Sequence, residues 1–418
     1  MTDAFAPTLS RRQTAAVLLL LACLALLPFG RSAELAIVLC AVAGIVVCVR
    51  GQLDWKSDPV RWSILLFVAY WLPEFASAFD AVNSKRAWKE VVVDLRYLPM
   101  LLFACVALQS LAAQRLARQG CAWIVAVWVA DALLQAATGW SIGGPASADR
   151  LSGVFGADDL KLGGALALLS PFLLLAAFAR SRWLGVLASF LLLLVVLLAG
   201  ARAAWLSFAL VLLVLVWRSF GGGRKALLAL STMLAMSFAL VIGAYLGSAT
   251  FQARIDRSAA ALQGVDGVDH ALSGRLPIWQ TALSMFREQP INGVGVRGFR
   301  DAYAAHAEAD DPWLGFDGEA GAFHAHQWVL EVAAETGAIG LWCWILAGLV
   351  SLRVWREATP ANRDSAAAVS LALLAMLFPF NTHYAFYSSA WGGLLFFLLA
   401  LWTPMIALRS TGSSTPQS

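Results

Sequence analysis

Charged side chains are scarce in this sequence. Asp, Glu, Lys and Arg make up 13% of its 418 residues, whereas a soluble domain carries roughly 25%. Apolar residues make up 60%, which is more than a soluble core of this size can hide. The composition therefore excludes an ordinary soluble domain. The net charge of +4 gives no reason to expect nucleic acid as a partner, because most basic residues lie in short connections between apolar runs.

Cysteine and histidine are also sparse. All six cysteines lie within apolar runs, and none of them forms a CxxC pair. This spacing indicates neither a disulfide framework nor a zinc site. The sequence has no internal repeat either, which argues against a transporter built from paired repeats.

Long apolar runs, by contrast, recur along most of the chain. A run of about 20 apolar residues crosses the hydrocarbon core of a bilayer as a helix. The sequence therefore predicts an all-α integral membrane protein with about twelve transmembrane helices. We expect these near residues 14–29, 33–49, 60–79, 91–111, 120–139, 160–179, 183–200, 202–217, 225–247, 327–351, 365–383 and 386–408.

The Lys and Arg residues of the short connections predict the orientation, because they are retained on the cytoplasmic side. These basic residues are more frequent in the connections that lie on the same side of the membrane as the N-terminus. Both termini are therefore expected in the cytoplasm. The chain then divides into four parts. These are helices one to nine (1–247), an external loop (248–326), helices ten to twelve (327–409) and a disordered cytoplasmic tail (410–418).

The external loop is rich in glycine and proline but also contains helical patterns. Leu276, Trp279, Leu283 and Phe286 recur at helical spacing up to Pro290, which predicts an amphipathic helix on the membrane surface or over a cavity. A second such helix is expected around Phe251, Ile255 and Leu262. The glycines of Gly293-Val-Gly295-Val-Arg-Gly298 are expected to form a tight turn, since no βαβ unit surrounds them.

Four cations lie at the predicted outer ends of spans or in the loop: Arg202, Arg96, Lys161 and Arg275. Charges at such positions are costly and usually functional. Guanidinium groups bind phosphate oxygens in pairs and stay charged, so these residues are candidates for one anion site. The alternative is that each cation reaches the lipid headgroups or pairs with a nearby Asp. That alternative is weakest for Arg202, which has no acidic neighbour in sequence.

Two histidines, His324 and His326, precede the predicted tenth span. A rigid helix end that is open to the outside suits a general base. Metal ligation by the pair is the alternative, but no third ligand is evident. The acidic pairs Asp158-Asp159 and Asp310-Asp311 are expected to be solvated, with divalent-ion binding as their alternative.

The chain from His326 onward carries a recognisable spacing. His326-Gln327 is followed by nine residues and then by Gly337 and Gly340. This resembles the H[NSQ]-x9-G-x2-G signature of the bacterial O-antigen ligases. The surroundings of Arg202 and of Arg275 are similar to the arginine motifs of that family, and the resemblance covers residues 200–345.

The resemblance implies a metal-independent glycosyltransferase of the GT-C type in the bacterial inner membrane, with its active site facing the periplasm and no cofactor. It implies transfer of O-antigen from undecaprenyl pyrophosphate to lipid A-core, with membrane lipids as further partners. His326 matches the family's essential histidine, and Arg202 and Arg275 match its arginines. We expect His324, Arg96, Lys161 and Gln327 to support them. A polymerase, a protein O-oligosaccharyltransferase and a lipid-linked oligosaccharide transporter remain alternatives.

Overall fold

The protein is described here from a computed structural model. The model describes residues 9–407 except 146–149, 158, 220, 248–251, 254, 257–271, 273, 316–320 and 383. The predicted helix around Phe251, Ile255 and Leu262 lies largely outside the described residues. The predicted disordered tail 410–418 and Asp158 lie outside them entirely.

The described part of the chain is almost entirely helical. Its N-terminal half contains α1 (Arg11–Ala25), α2 (Ser32–Val49), α3 (Asp58–Ser77), α4 (Ser84–Asp94), α5 (Tyr97–Ala107), α6 (Leu111–Thr138), α7 (Lys161–Arg180) and α8 (Arg182–Leu198). Its C-terminal half contains α9 (Arg202–Ser219), α10 (Gly223–Gly247), α11 (Leu276–Glu288), α12 (Phe299–His306), α13 (Trp328–Glu357), α14 (Pro360–Met376) and α15 (Ser389–Ile406). A short antiparallel pair, β1 (Trp140–Ser141) and β2 (Gly144–Pro145), follows α6.

Six of the described helices are long and apolar enough to cross a membrane, judged by length and composition: α2, α6, α7, α9, α13 and α15. Large apolar side chains on the outside of the bundle, such as Trp123, Trp183 and Trp342, are more than half exposed. Such surfaces are uncommon in water and ordinary in lipid. The architecture is that of a multi-pass membrane protein, and the number of about twelve spans stays a prediction.

The centre of the bundle is packed with aromatic rings. Tyr97 of α5 stacks on Phe396 of α15 with ring centroids 4.2 Å apart. Tyr70 of α3 meets the same phenylalanine edge-on at 4.9 Å. These ring pairs fix α3, α5 and α15 against one another. Residues of α11 and α12, among them Ile278, Met285 and Phe299, form a separate, smaller hydrophobic core.

Three predicted spans differ from the helices. Span 91–111 is wrong as one helix, because helical bonding is interrupted between Asp94 and Tyr97 and two helices, α4 and α5, cover this region. The ring of Pro99 conflicts with the carbonyl four residues earlier, which breaks helical bonding there. Spans 365–383 and 386–408 are shorter than predicted, because α14 ends at Met376 and α15 starts at Ser389. Pro379 lies between them, and the described residues from 377 to 388, all but His383, form a non-helical stretch, the 377–388 connection.

The predicted amphipathic helix is confirmed as α11. Its buried side is formed by Ile278, Ala282 and Met285. The predicted apolar stripe lies on another side and is only partly covered, with Leu283 39% exposed. The helix therefore has two apolar sides. One side packs into the smaller hydrophobic core, and the other is only partly buried.

Candidate active site

Two of the predicted site residues, Arg275 and Gln327, bind the 377–388 connection. The guanidinium of Arg275 donates to the Thr382 carbonyl at 3.0 Å and to its hydroxyl at 2.8 Å. Arg275 directly precedes α11, whose first residues contain Pro277. These two bonds tie the start of α11 to the stretch between α14 and α15.

Gln327 binds the same connection from the start of α13. Its amide nitrogen donates to the Pro379 carbonyl at 2.6 Å, and its amide oxygen accepts from the Leu330 backbone N–H at 2.6 Å. The second bond caps α13, because it satisfies one of the amides that has no partner within the helix. Gln327 thus holds the helix start and the connection together. This gives a physical reason for an amide side chain after the signature histidine.

The helix α9, which begins at Arg202, also contacts this connection. Asn381 donates to the Ser207 hydroxyl at 3.1 Å, which joins the first turns of α9 to the connection. Burial lowers the pKa of Arg275, and the positive charge of Arg202 lowers that pKa further. The positive charge of Arg202 therefore acts on Arg275, although the two residues are far apart in the sequence. An anion bound at Arg275 would be stabilised by both charges.

His326 stands beside His324, with ring centroids 3.9 Å apart. Its backbone has φ 53°, a left-handed conformation that non-glycine residues rarely adopt. Trp279, one turn along α11 from Arg275, donates from its indole N–H to the Ala325 carbonyl at 3.1 Å. The first turn of α11 is therefore in contact with the residue preceding His326. That the imidazole and both guanidiniums open into one cavity stays a prediction.

Arg96 and Lys161 are both paired with carboxylates near them in sequence. The Arg96 guanidinium lies 3.7 Å from Asp94 and donates to the Tyr97 hydroxyl at 3.0 Å. Lys161 binds Asp159. This is the local pairing considered as the alternative to anion binding, and it leaves their supporting role a prediction. Lys161 nevertheless begins α7, which meets the connection where Tyr384 donates to the Gly164 carbonyl at 3.1 Å.

The signature glycine Gly337 lies at a break inside α13. Its backbone has φ 61° and ψ −154°, a combination adopted essentially only by glycine. In a regular helix, the amides of Ala338 and Ile339 would bond to the carbonyls of Ala334 and Glu335. Here the two amides donate instead to the carbonyls of Pro290 and Ile291, at 2.9 and 3.1 Å.

The freed carbonyls of α13 bond to the same external stretch. Ala334 accepts from the Val294 amide at 2.8 Å, and Glu335 accepts from the Gly295 amide at 3.1 Å. The predicted glycine turn is thus confirmed, and it exchanges backbone bonds with the broken helix. A side chain at Gly293 would lie 2.4 Å from the Ala334 carbonyl oxygen. The contact therefore requires glycine on both partners.

The Glu335 side chain adds a further link that the sequence did not reveal. Its buried carboxylate accepts from the Arg297 backbone N–H at 2.7 Å and from the Phe299 N–H at 3.3 Å. It thereby satisfies the first amide of α12 and the amide of Arg297, which lies two residues before that helix. The Arg297 side chain lies 4.0 Å from Glu90. Burial raises the pKa of Glu90, and Arg297 offsets part of that rise.

Thr382 and Asn381 were not predicted as site residues either. The sequence feature that points to them is the polar run Asn381-Thr382-His383, which interrupts an apolar region shortly after Pro379. His383 itself lies outside the described residues. Within the residues that the structure does describe, no three His, Cys, Asp or Glu side chains are arranged to hold a metal ion.

Comparison with known proteins supports the resemblance seen in the signature. Residues 187–345 match the family described as O-antigen ligase (Wzy_C). Over 120 residues, the chain is 30% identical to the "Exopolysaccharide production protein ExoQ" of Rhizobium meliloti (strain 1021). That similarity covers 28% of this chain and 26% of the relative, so the chain spans about a quarter of the length of this relative. The matched segment 187–345 contains Arg202, Arg275 and His326.

Proposed function

We propose that the protein is an O-antigen ligase of the bacterial inner membrane. It transfers O-antigen from undecaprenyl pyrophosphate to the lipid A-core oligosaccharide on the periplasmic side. The proposal includes about twelve spans, cytoplasmic termini and a GT-C type of fold. The observation that supports it is that Arg275 binds Thr382, while the neighbouring Asn381 binds Ser207 of the helix that begins at Arg202. The segment that matches the O-antigen ligase family contains both arginines and His326.

In the proposed reaction, the two guanidiniums hold the pyrophosphate of the donor. An acceptor hydroxyl attacks the anomeric carbon while the bond from that carbon to the pyrophosphate oxygen breaks. His326 takes the hydroxyl proton, and undecaprenyl pyrophosphate leaves with the bonding electrons. Negative charge grows on the leaving group in the transition state, so cations placed there lower the barrier. Attack from the face opposite the leaving group inverts the anomeric centre.

Purified protein in liposomes tests this function directly. With lipid-linked O-antigen and lipid A-core as the only substrates, we expect a glycosylated lipid A-core to form. The similarity to an exopolysaccharide production protein favours polymerisation as a second candidate function. A polymerase would join donor glycans to each other in the same vesicles and leave lipid A-core unmodified. Translocation of the donor without any new glycosidic bond would indicate a transporter.

Removing either guanidinium is expected to lower transfer strongly. For Arg202→Ala and for Arg275→Ala, we expect a loss of about 10²–10³ in kcat, the usual effect of removing one group that stabilises developing negative charge. Arg218→Ala is the matched control, because Arg218 lies at the other end of α9 and pairs with Asp364. Equal activity in Arg202→Ala and Arg218→Ala membranes would contradict the pyrophosphate role of Arg202.

The pH dependence should report the proposed base. A neutral imidazole is required to accept a proton, and the ordinary pKa of histidine is about 6.5. The transfer rate is therefore expected to fall as the pH drops through about 6.5 and to level off above it. Initial rates in liposomes between mildly acidic and mildly alkaline pH measure this. A rate that rises on acidification would exclude histidine as the base.

A further inference from the structure

A polar cavity of about 570 Å³ lies on the external segment, away from the 377–388 connection. It is enclosed by α11, by the end of α12 and by residues 308–312. Its lining includes Pro277, Gln280, Ser284, Arg287, His306 and Asp310. Cavities of about 300–1,000 Å³ are typical of small-ligand sites.

The wall of this cavity is rigidly built. Asp311, only 7% exposed, accepts from the Tyr303 hydroxyl at 2.9 Å and from the Trp313 backbone N–H at 2.8 Å. The Thr281 hydroxyl lies 3.5 Å from the same carboxylate. The expectation that Asp310-Asp311 is a solvated pair is therefore wrong for Asp311, because α11 and α12 close over it. Its carboxylate holds α11, α12 and the 308–312 stretch in one arrangement.

The chemistry of the lining selects the class of ligand. Carboxylates of Glu308, Asp310 and Asp311 outnumber the one guanidinium, Arg287. This balance disfavours a diphosphate, which needs cations. Gln280, Ser284 and Arg287 supply donors, while the carboxylates and the amide oxygen supply acceptors. A hydroxyl group both donates and accepts, so a neutral, hydroxyl-rich ligand fits this mixture.

The lining also has apolar parts. Pro277, Leu283 and Pro312 stand among the polar groups. A pyranose ring presents C–H groups on its faces and hydroxyls around its edge, so it can contact both kinds of surface. The combination of rigid wall, mixed hydrogen-bonding groups and small apolar faces is suited to a saccharide.

The cavity and the candidate active site lie on different sides of one helix. Arg275 and Trp279 connect the start of α11 to Thr382 and Ala325. Gln280, Ser284 and Arg287 follow at helical spacing on the side of the cavity. A helix with its side chains is about 10–12 Å across, which is about the reach of a short saccharide chain.

We propose that this cavity is a second saccharide-binding site, which holds sugar residues remote from the bond being formed. The inference rests on the proposed function for the identity of the glycan. Two substrates carry suitable sugars, the polymer of the donor and the core oligosaccharide of the acceptor. The cavity binds one of them while Arg202 and Arg275 hold the pyrophosphate elsewhere.

The test uses the purified full-length protein and saccharides that carry no lipid and no diphosphate. One probe is an oligomer of O-antigen repeat units, and the other is core oligosaccharide freed from lipid A. Saturable binding of one probe is expected by saturation-transfer NMR. The Gln280→Ala/Arg287→Ala double variant should bind it about tenfold more weakly or worse, because hydrogen bonds that involve a charged group are lost. Lys85→Ala, which removes an exposed cation on α4, is the control and should bind normally.

Transfer assays separate this inference from the proposed function. With a donor that carries a single repeat unit, the double variant should keep the kcat of the unmodified protein. If the oligomer is the ligand, the KM for long-chain donor should rise; if the core is the ligand, the KM for lipid A-core should rise instead. Binding of neither probe, or equal weakening in Lys85→Ala, would overturn the saccharide site. A protein that binds a probe but transfers nothing would contradict the proposed function and leave the site standing.

Discussion

Replacing His326 with alanine or asparagine is expected to reduce transfer by about 10²–10⁴ or more, the contribution typical of a positioned general base. Neither side chain can accept the proton at neutral pH. Asparagine is the sharper choice, because residue 326 has a left-handed backbone that asparagine adopts more readily than most residues. The asparagine variant therefore removes the imidazole while keeping the backbone conformation accessible. Transfer to lipid A-core in liposomes measures the effect.

His324→Ala is the companion variant for this experiment. Its ring lies against that of His326, so it tests whether the effect belongs to one imidazole or to the pair. We expect a smaller loss, since the family signature contains His326 and not His324. All three variants should reach the membrane in normal amounts and unfold at normal temperatures. Normal product from stable His326→Asn protein would remove His326 from the role of base.

Replacing Gly337 with alanine is expected to destabilise the protein severely. The new Cβ would lie 2.4 Å from the Ile291 carbonyl oxygen and 2.6 Å from the Asn292 nitrogen. Both are backbone atoms that cannot turn away. The backbone strain alone costs about 1–3 kcal/mol, and the collision adds to it. We expect a clearly lower thermal midpoint in detergent, together with reduced amounts of protein in the membrane.

Gly348→Ala is the control within the same helix. A Cβ at Gly348 would meet nothing within 4 Å, and alanine favours a helix over glycine by about 1 kcal/mol. Its thermal midpoint should be unchanged or slightly higher. If the two variants unfold at the same temperature, the break in α13 does not require a glycine at position 337.

The sequence was informative where a feature depends on neighbours along the chain. Apolar runs predicted the helices, and Pro290 marked the end of α11. The glycines 293, 295 and 298 predicted a turn without revealing what it contacts. The signature spacing identified Gly337 and Gly340 as a pair, but a spacing cannot show that one of them breaks a helix.

The remaining features depend on contacts between distant segments. Glu335 binds the Arg297 amide from 38 positions away, and Arg275 binds Thr382 from 107 positions away. No local pattern encodes either pairing. The buried side of α11 was not predicted for a related reason. The helix has apolar residues on two sides, and the packing of α12 and α13 decides which side is covered. The apolar residues on both sides of Asn381-Thr382-His383 likewise led the prediction to extend two spans into the 377–388 connection.

The exchange of backbone bonds between α13 and residues 290–295 bears on how the chain assembles. Polar backbone groups within a bilayer need partners, and a straight α13 would provide them internally. The break in α13 at Gly337 therefore does not depend on the sequence of α13 alone. Residues 290–295 precede α13 in the chain, so they are already synthesised when α13 emerges from the ribosome and their backbone groups can bond to it.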